Sequence, residues 1–89
     1  MSAPVVGFAG LTHLGLVSAI AVASKGFRVI GYDADTARVH DIAAGQLPVV
    51  EPDLDELARG VAGRITFTSQ PGDLAACDLV YISTDVATD

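Results

Sequence analysis

Gly10 and Gly15 bracket the run Gly10-Leu11-Thr12-His13-Leu14-Gly15, which follows the apolar stretch Val5-Val6-Gly7-Phe8-Ala9 and precedes a segment rich in helix formers. A glycine turn opening a helix is suited to holding an anion, because the first amides of a helix have no internal partner and the helix dipole is positive there. The spacing follows a Gly-x-Gly-x-x-Gly pattern in which Thr12 stands at the middle glycine. The first glycine makes the tight turn, and the last lets the helix lie close to the strand. The middle position normally lets the backbone approach a phosphate, so a Cβ at Thr12 should push an anion outward while its hydroxyl offers one hydrogen bond. Glycines serve any tight strand-to-helix turn, so this run by itself does not specify a ligand.

Asp33 adds that specificity. It ends a second β-prone run, Phe27 to Tyr32, about twenty residues beyond the turn, where an acidic side chain accepts hydrogen bonds from the ribose of an adenine dinucleotide. A 2′-phosphate there would meet a like charge, so the pair of features predicts NAD and not NADP. Arg38 on the following helix either contacts the ribose or is solvated, and Asp33 has a competing role as a helix cap. His13, at the helix start, is expected as a neutral ring near the ligand without a catalytic partner. His40 reads as a helix-surface residue, and Cys77 as a small buried filler, not a nucleophile. No metal-ligand spacing is present.

The elements that must position these groups alternate. Val5–Ala9 forms a first strand buried on both faces, and His13 to Lys25 a helix apolar on nearly every side, stopped by Gly26. Phe27–Tyr32 is the second strand, and Asp35 or Thr36 caps a second helix running to Ala44. After the proline-bounded stretch 46–52, Asp53 is placed to cap a short helix from Leu54 to Arg59. Arg64–Thr68 alternates as a third strand, Ser69–Ala76 makes a short helix, and Leu79–Ser83 a fourth, fully buried strand. Parallel neighbours need crossover connections, so the alternation implies an α/β fold with a parallel sheet; as one half of a dinucleotide-binding fold it is expected as a Rossmann-like sheet of about four strands, order 3-2-1-4, with helices on both faces.

Composition narrows the partners. With 89 residues the chain has room for one small domain, and 51% hydrophobic against 18% charged residues is a globular balance. A formal charge of -6 without a Lys/Arg cluster argues against nucleic acid, and the longest apolar stretch, from Leu14 to Ser24, is too short to cross a membrane. One cysteine and no leader pattern lead us to expect a cytoplasmic protein.

Residues Val5 to Asp89 together resemble the amino-terminal part of the UDP-glucose/GDP-mannose dehydrogenase family. The distinctive stretch is Gly45-Gln46-Leu47-Pro48-Val49-Val50-Glu51-Pro52-Asp53-Leu54-Asp55-Glu56-Leu57, which is similar to that family's segment after the second helix, with Asp53 in place of a glycine. Ser83-Thr84-Asp85-Val86-Ala87 occupies the loop where the family carries a Thr-Pro pair, here Val86-Ala87. The resemblance implies that Gly10, Thr12, His13 and Leu14 touch the pyrophosphate of NAD, that Asp33 and Arg38 touch the adenosine ribose, and that Thr84 flanks the cofactor. It also implies a parent enzyme that oxidises the C6 alcohol of a nucleotide-sugar to a carboxylate in two hydride transfers, through a cysteine thiol that Cys77 does not match. Residues 1–89 are accordingly expected to be a partial NAD-binding Rossmann domain, truncated before the catalytic residues. Such a piece would leave its fourth strand as an apolar edge and form a homo-oligomer. A non-catalytic nucleotide-binding or interaction module with a degenerate site is the competing reading.

Overall fold

In the computed structural model, which describes residues 4–47 and 53–83, the elements run in the alternating order that the residues dictate. Strand β1 spans Val5–Ala9, α1 His13–Ser24, β2 Arg28–Tyr32 and α2 Thr36–Ala43; α3 spans Leu54–Gly60, β3 Ile65–Thr68 and β4 Leu79–Ile82, with a 3₁₀ helix at Pro71–Ala76 between the last two strands. All three strand pairings are parallel and the order is β3-β2-β1-β4, as expected.

Register decides which side chains share a face. Phe8 lies opposite Gly31 on one side and Tyr81 on the other, and Gly31 lies opposite Phe67, so one row of alternate residues faces α1. The Phe8 and Tyr81 rings stack with centroids 5.5 Å apart. Against this face pack α1, α2 and α3, and the core forms there from Val6, Phe8, Leu16, Ile20, Val29, Ile42, Leu54 and Ile65. Leu11, Leu16, Ile20 and Val29 are fully enclosed; burying an aliphatic side chain of this kind stabilises the fold by about 1.5–3 kcal/mol.

Among the described residues, the opposite face is covered by the 3₁₀ helix and the residue after it, with Leu74 and Cys77 reaching the sheet at Gly7. Helices do lie on both faces, but unequally. The segment expected as a helix from Ser69 is instead a 3₁₀ turn beginning at Pro71, because the proline sets φ and removes a donor, and Gly72 follows directly. Thr68 takes over the local polar groups: its hydroxyl donates to Asp73 Oδ2 at 2.6 Å and accepts from the Gln70 amide at 3.0 Å.

Two burial expectations are corrected. The fourth strand, read as fully buried from its apolar run and as an apolar edge from its place in the sheet, follows the second reading: Leu79, Val80, Tyr81 and Ile82 are all exposed, Ile82 at 78%. Its apolar sequence is that of a central strand, while its position in this chain is the edge beside β1. Helix α1, expected to be buried on nearly every side, encloses only the stripe Gly15, Leu16, Ala19, Ile20 and Ala23, leaving Leu14 62% exposed. It has the sheet on one flank and α3 on another, and nothing among the described residues covers the flank toward β4.

Asp35 caps α2 by accepting from the Arg38 amide at 3.0 Å, as its position predicts. Asp53 stands at the N-cap of α3 but makes no side-chain capping bond, so this helix relies on Asp55 and Glu56 in its first turn.

Candidate functional site

Parallel pairing places the carboxyl ends of all four strands on one edge of the sheet. With order β3-β2-β1-β4, the chain leaves β1 toward one side and returns for β4 on the other, so a crevice opens between the ends of β1 and β4. The turn after β1 sits in that crevice.

The turn is built by close backbone approaches that exclude side chains at two positions. Gly10 has φ +109°, its amide donates to the Tyr32 carbonyl at 2.8 Å, and a Cβ added to it would lie 1.9 Å from the Ser83 carbonyl oxygen. At Gly15 an added Cβ would lie 1.9 Å from the Gly10 carbonyl oxygen. The first turn of α1 is therefore pressed onto the end of β1, as the glycine spacing implies. The first i→i−4 bond of the helix runs from the Leu16 amide to the Thr12 carbonyl at 2.9 Å, so the Leu14 and Gly15 amides open the helix ahead of it.

Thr12 is the N-cap, with extended backbone (φ −80°, ψ −169°) and no side-chain capping bond. Its Oγ1 is shut off from solvent and has no hydrogen-bond partner among the described residues. His13 and Leu14 follow at the exposed start of α1. Leu14 forms the mouth of a groove of about 510 Å³ that it shares with Phe8, Gly15, Ser18, Tyr81 and Ser83.

Asp33, only 8% exposed, turns its carboxylate toward the turn. Oδ2 accepts from the Leu11 amide at 2.8 Å and from Arg38 Nη1 at 3.2 Å, while Oδ1 accepts from the Asp35 amide at 2.9 Å. Burial by itself raises the carboxyl; the Asp35 and Leu11 amides and the Arg38 guanidinium together outweigh that and hold it below the ordinary aspartate range. A carboxylate offers about four acceptor positions, so three bonds leave one position, on Oδ1, for a ligand. Arg38, left open between ribose contact and solvation, pairs with Asp33, and its side chain is 35% exposed.

The structure thus brings Gly10, Thr12, His13, Leu14, Asp33 and Arg38 to one end of the sheet. Thr84 lies outside the described residues, as do Val86 and Ala87. His40 is on the surface of α2, its Nδ1 3.8 Å from Asp41 Oδ1. Cys77 is half-buried against Gly7, and burial, then the neighbouring Asp78, push its thiol up, away from the thiolate that a nucleophile needs. Thr68 was not anticipated: its carbonyl accepts from the Asp33 amide at 3.1 Å, tying the end of β3 to the Asp33 backbone. Its place as the last residue of an alternating strand beside Asp33 is the signal that points to it.

The residues present fit a dinucleotide. Two missing Cβ atoms leave room for the backbone to close around the turn, and the helix start offers amides; among the described residues, Thr12 Oγ1 in this turn is a buried side-chain oxygen without a partner. No helix among the described residues is long and apolar enough to cross a membrane.

A family model described as the NAD binding domain of the UDP-glucose/GDP-mannose dehydrogenase family matches residues 5–88. The UDP-glucose 6-dehydrogenase of Rhizobium meliloti is 39% identical over 77 residues, covering 83% of this chain and 18% of that protein. Among solved structures, a UDP-glucose dehydrogenase from Pyrobaculum islandicum superposes with a TM-score of 0.81 at 34% identity, over 90% of this chain and 19% of that one. A GDP-mannose dehydrogenase from Pseudomonas aeruginosa superposes with a TM-score of 0.85 at 26% identity, over 94% of this chain and 20% of that one. The chain spans about a fifth of the length of the relatives it matches.

Proposed function

The chain belongs to the UDP-glucose/GDP-mannose dehydrogenase family, as its NAD-binding domain, and from that premise we propose which residues hold the cofactor and what reaction they serve. The pyrophosphate lies over the turn from Gly10 to Leu14, and the adenosine ribose lies beside Asp33 and Arg38. The observation that carries this reading is the Asp33 carboxylate, ionised, aimed at the turn and left with one acceptor position on Oδ1. That position suits a single ribose hydroxyl, and the carboxylate disfavours a 2′-phosphate in spite of Arg38, whose charge Asp33 already engages.

The reaction proposed for the protein is oxidation of the C6 alcohol of a nucleotide-sugar to a carboxylate, with NAD as the hydride acceptor. The likeness to a UDP-glucose 6-dehydrogenase and a GDP-mannose dehydrogenase supports it. What these 89 residues contribute is cofactor binding and orientation: amides at the start of α1 for the diphosphate, and a carboxylate at the tip of β2 for the ribose. Cys77 has no part in the chemistry, since its thiol is held protonated on the opposite face of the sheet. A lone unpaired cysteine is in keeping with a cytoplasmic setting.

Isothermal titration calorimetry with NAD, NADP and ADP-ribose tests the assignment. Comparable affinity for NAD and ADP-ribose, with NADP much weaker, is the expected pattern, because the described site holds the ADP portion. No heat with NAD or ADP-ribose at millimolar concentration would leave the competing reading, a nucleotide-binding or interaction module with a degenerate site, which Thr12 in place of a glycine favours.

A further inference from the structure

We propose that Thr68 and Asp73 are positioning residues for the cofactor: a hydrogen-bonded lock between them sets the place of the Asp33 carboxylate, and through it the contact with the adenosine ribose. The inference rests on the NAD-binding reading above and adds to it two residues that do not touch the ligand themselves.

β2 and β3 run in register as far as Tyr32 opposite Thr68, and the Asp33 amide then donates to the Thr68 carbonyl at 3.1 Å. Asp33 stands one residue beyond that last pair, so the Thr68 carbonyl fixes where its backbone leaves the sheet. Thr68 is in turn the last residue of β3, and the peptide carrying its carbonyl is oriented by the turn that follows and not by a further strand pair. That turn is held by the Thr68 side chain. The hydroxyl accepts from the Gln70 amide at 3.0 Å and donates to Asp73 Oδ2 at 2.6 Å, while the Asp73 amide donates to the Gln70 carbonyl at 3.0 Å. These bonds close a ring that ties the strand end to the first turn of the 3₁₀ helix, which packs against β2.

Burial singles this pair out. Asp33 and Thr68 are the buried polar residues among those described, each 8% exposed, and they are bonded to each other through their backbones. A turn at the surface needs no enclosed hydroxyl, since water satisfies its polar groups. Valine would extend the β-prone run Ile65–Phe67 equally well in the same volume, so strand formation does not account for the threonine. Positioning does. The Asp33 carboxylate has three bonds already made and one acceptor position on Oδ1, which recognises a ribose hydroxyl only while it points into the crevice. Hydrogen bonds weaken steeply as their angle departs from linear, and a side chain that contacts a ligand is placed only as exactly as the bonds behind it allow.

Calorimetric titration with ADP and with 2′,3′-dideoxy-ADP, which lacks both ribose hydroxyls, reads the ribose contact as a ratio of affinities. The unmodified chain should favour ADP by about tenfold or more, as a hydrogen bond to a charged acceptor implies. Thr68→Val removes the lock and keeps the side-chain shape, and the ratio should fall to about threefold or less. Asp73→Ala, on the exposed side of the 3₁₀ helix, leaves the core untouched and should lower the ratio in the same direction. Thr68→Ser keeps the hydroxyl and should hold the ratio within about twofold of the unmodified chain. A role confined to stability would lower the melting temperature of Thr68→Val and leave the ratio where it was. An undiminished ratio in Thr68→Val therefore overturns the proposal; if that variant fails to fold, an undiminished ratio in Asp73→Ala overturns it. Either result leaves the NAD reading standing, because the unmodified chain still prefers ADP. An unmodified chain that binds ADP and its dideoxy analogue alike, or neither of them, removes the ribose reading itself and the lock's purpose with it.

Discussion

Replacing Asp33 with asparagine removes one charge and almost no volume, yet it should strike the fold as well as the ligand site. Both carboxylate oxygens accept from backbone amides, Oδ2 from Leu11 and Oδ1 from Asp35, and both bonds are under 3 Å. An asparagine has one acceptor oxygen, so one of the two amides must face an NH₂ group. Leaving a buried donor unpaired costs about 1–3 kcal/mol. The lost ion pair adds at most about 1 kcal/mol, because the Arg38 side chain is 35% exposed and well screened. A total near 2–3 kcal/mol would lower the melting temperature of a domain this small by about 10 °C or more.

The effect should also depend on pH in a definite direction. The folded Asp33 carboxyl is held below its ordinary range, so its contribution is fully present above the unfolded value of about 4 and is lost as pH falls through the lower folded value. Melts of Asp33→Asn and the parent chain, followed by circular dichroism at neutral pH and then in acid, should show a gap that is constant down to about pH 4 and narrows below it. Two results would refute the reasoning: melting temperatures within about a degree of each other at neutral pH, or a gap that widens in acid. Asp33→Asn therefore does not report on ribose binding alone, because the carboxylate also holds the Leu11 amide in the turn after β1.

Further outcomes follow from the same geometry. Gly15→Ala places a Cβ 1.9 Å from the Gly10 carbonyl oxygen, a backbone atom that cannot swing aside; urea titration should register a loss of about 3 kcal/mol or more, or no cooperative transition at all. The exposed apolar edge at β4 predicts that the 89-residue chain self-associates, so light scattering should report species larger than a monomer. Ile82→Lys, at a site 78% exposed, should shift the population toward monomer while leaving the melting temperature nearly unchanged; a parent chain that stays monomeric at all concentrations would show that this edge does not drive association.

Some of this protein is legible in its residues alone. The alternation of apolar β-prone runs with helix formers specifies a parallel sheet, since parallel neighbours must be joined through crossovers, and the dinucleotide-binding pattern of Gly10, Gly15 and Asp33 adds the strand order. Gly10, Gly15, Asp33 and the Asp35 cap are also readable, because each is demanded by backbone geometry within a few residues: a positive φ, a helix laid on a strand, a strand end, a first helical turn. Asp53 marks how far local rules reach, standing at a helix start without making the bond that its type favours.

What only the tertiary structure decided concerns partners distant in sequence. The apolar run Leu79–Ile82 reads as buried under any local rule, yet exposure depends on whether another strand lies alongside. Helix α1 is apolar around its circumference, and only the placement of β4 and α3 determines that Leu14 faces outward. The Asp33 carboxylate accepts from an amide 22 residues away, a clamp on the turn that no local rule shows and that leaves one acceptor position on Oδ1. The solitary Thr12 hydroxyl belongs to the same class of fact. Propensity and periodicity act over one or two turns of chain, whereas burial and hydrogen-bond satisfaction are settled by packing, after distant segments have met.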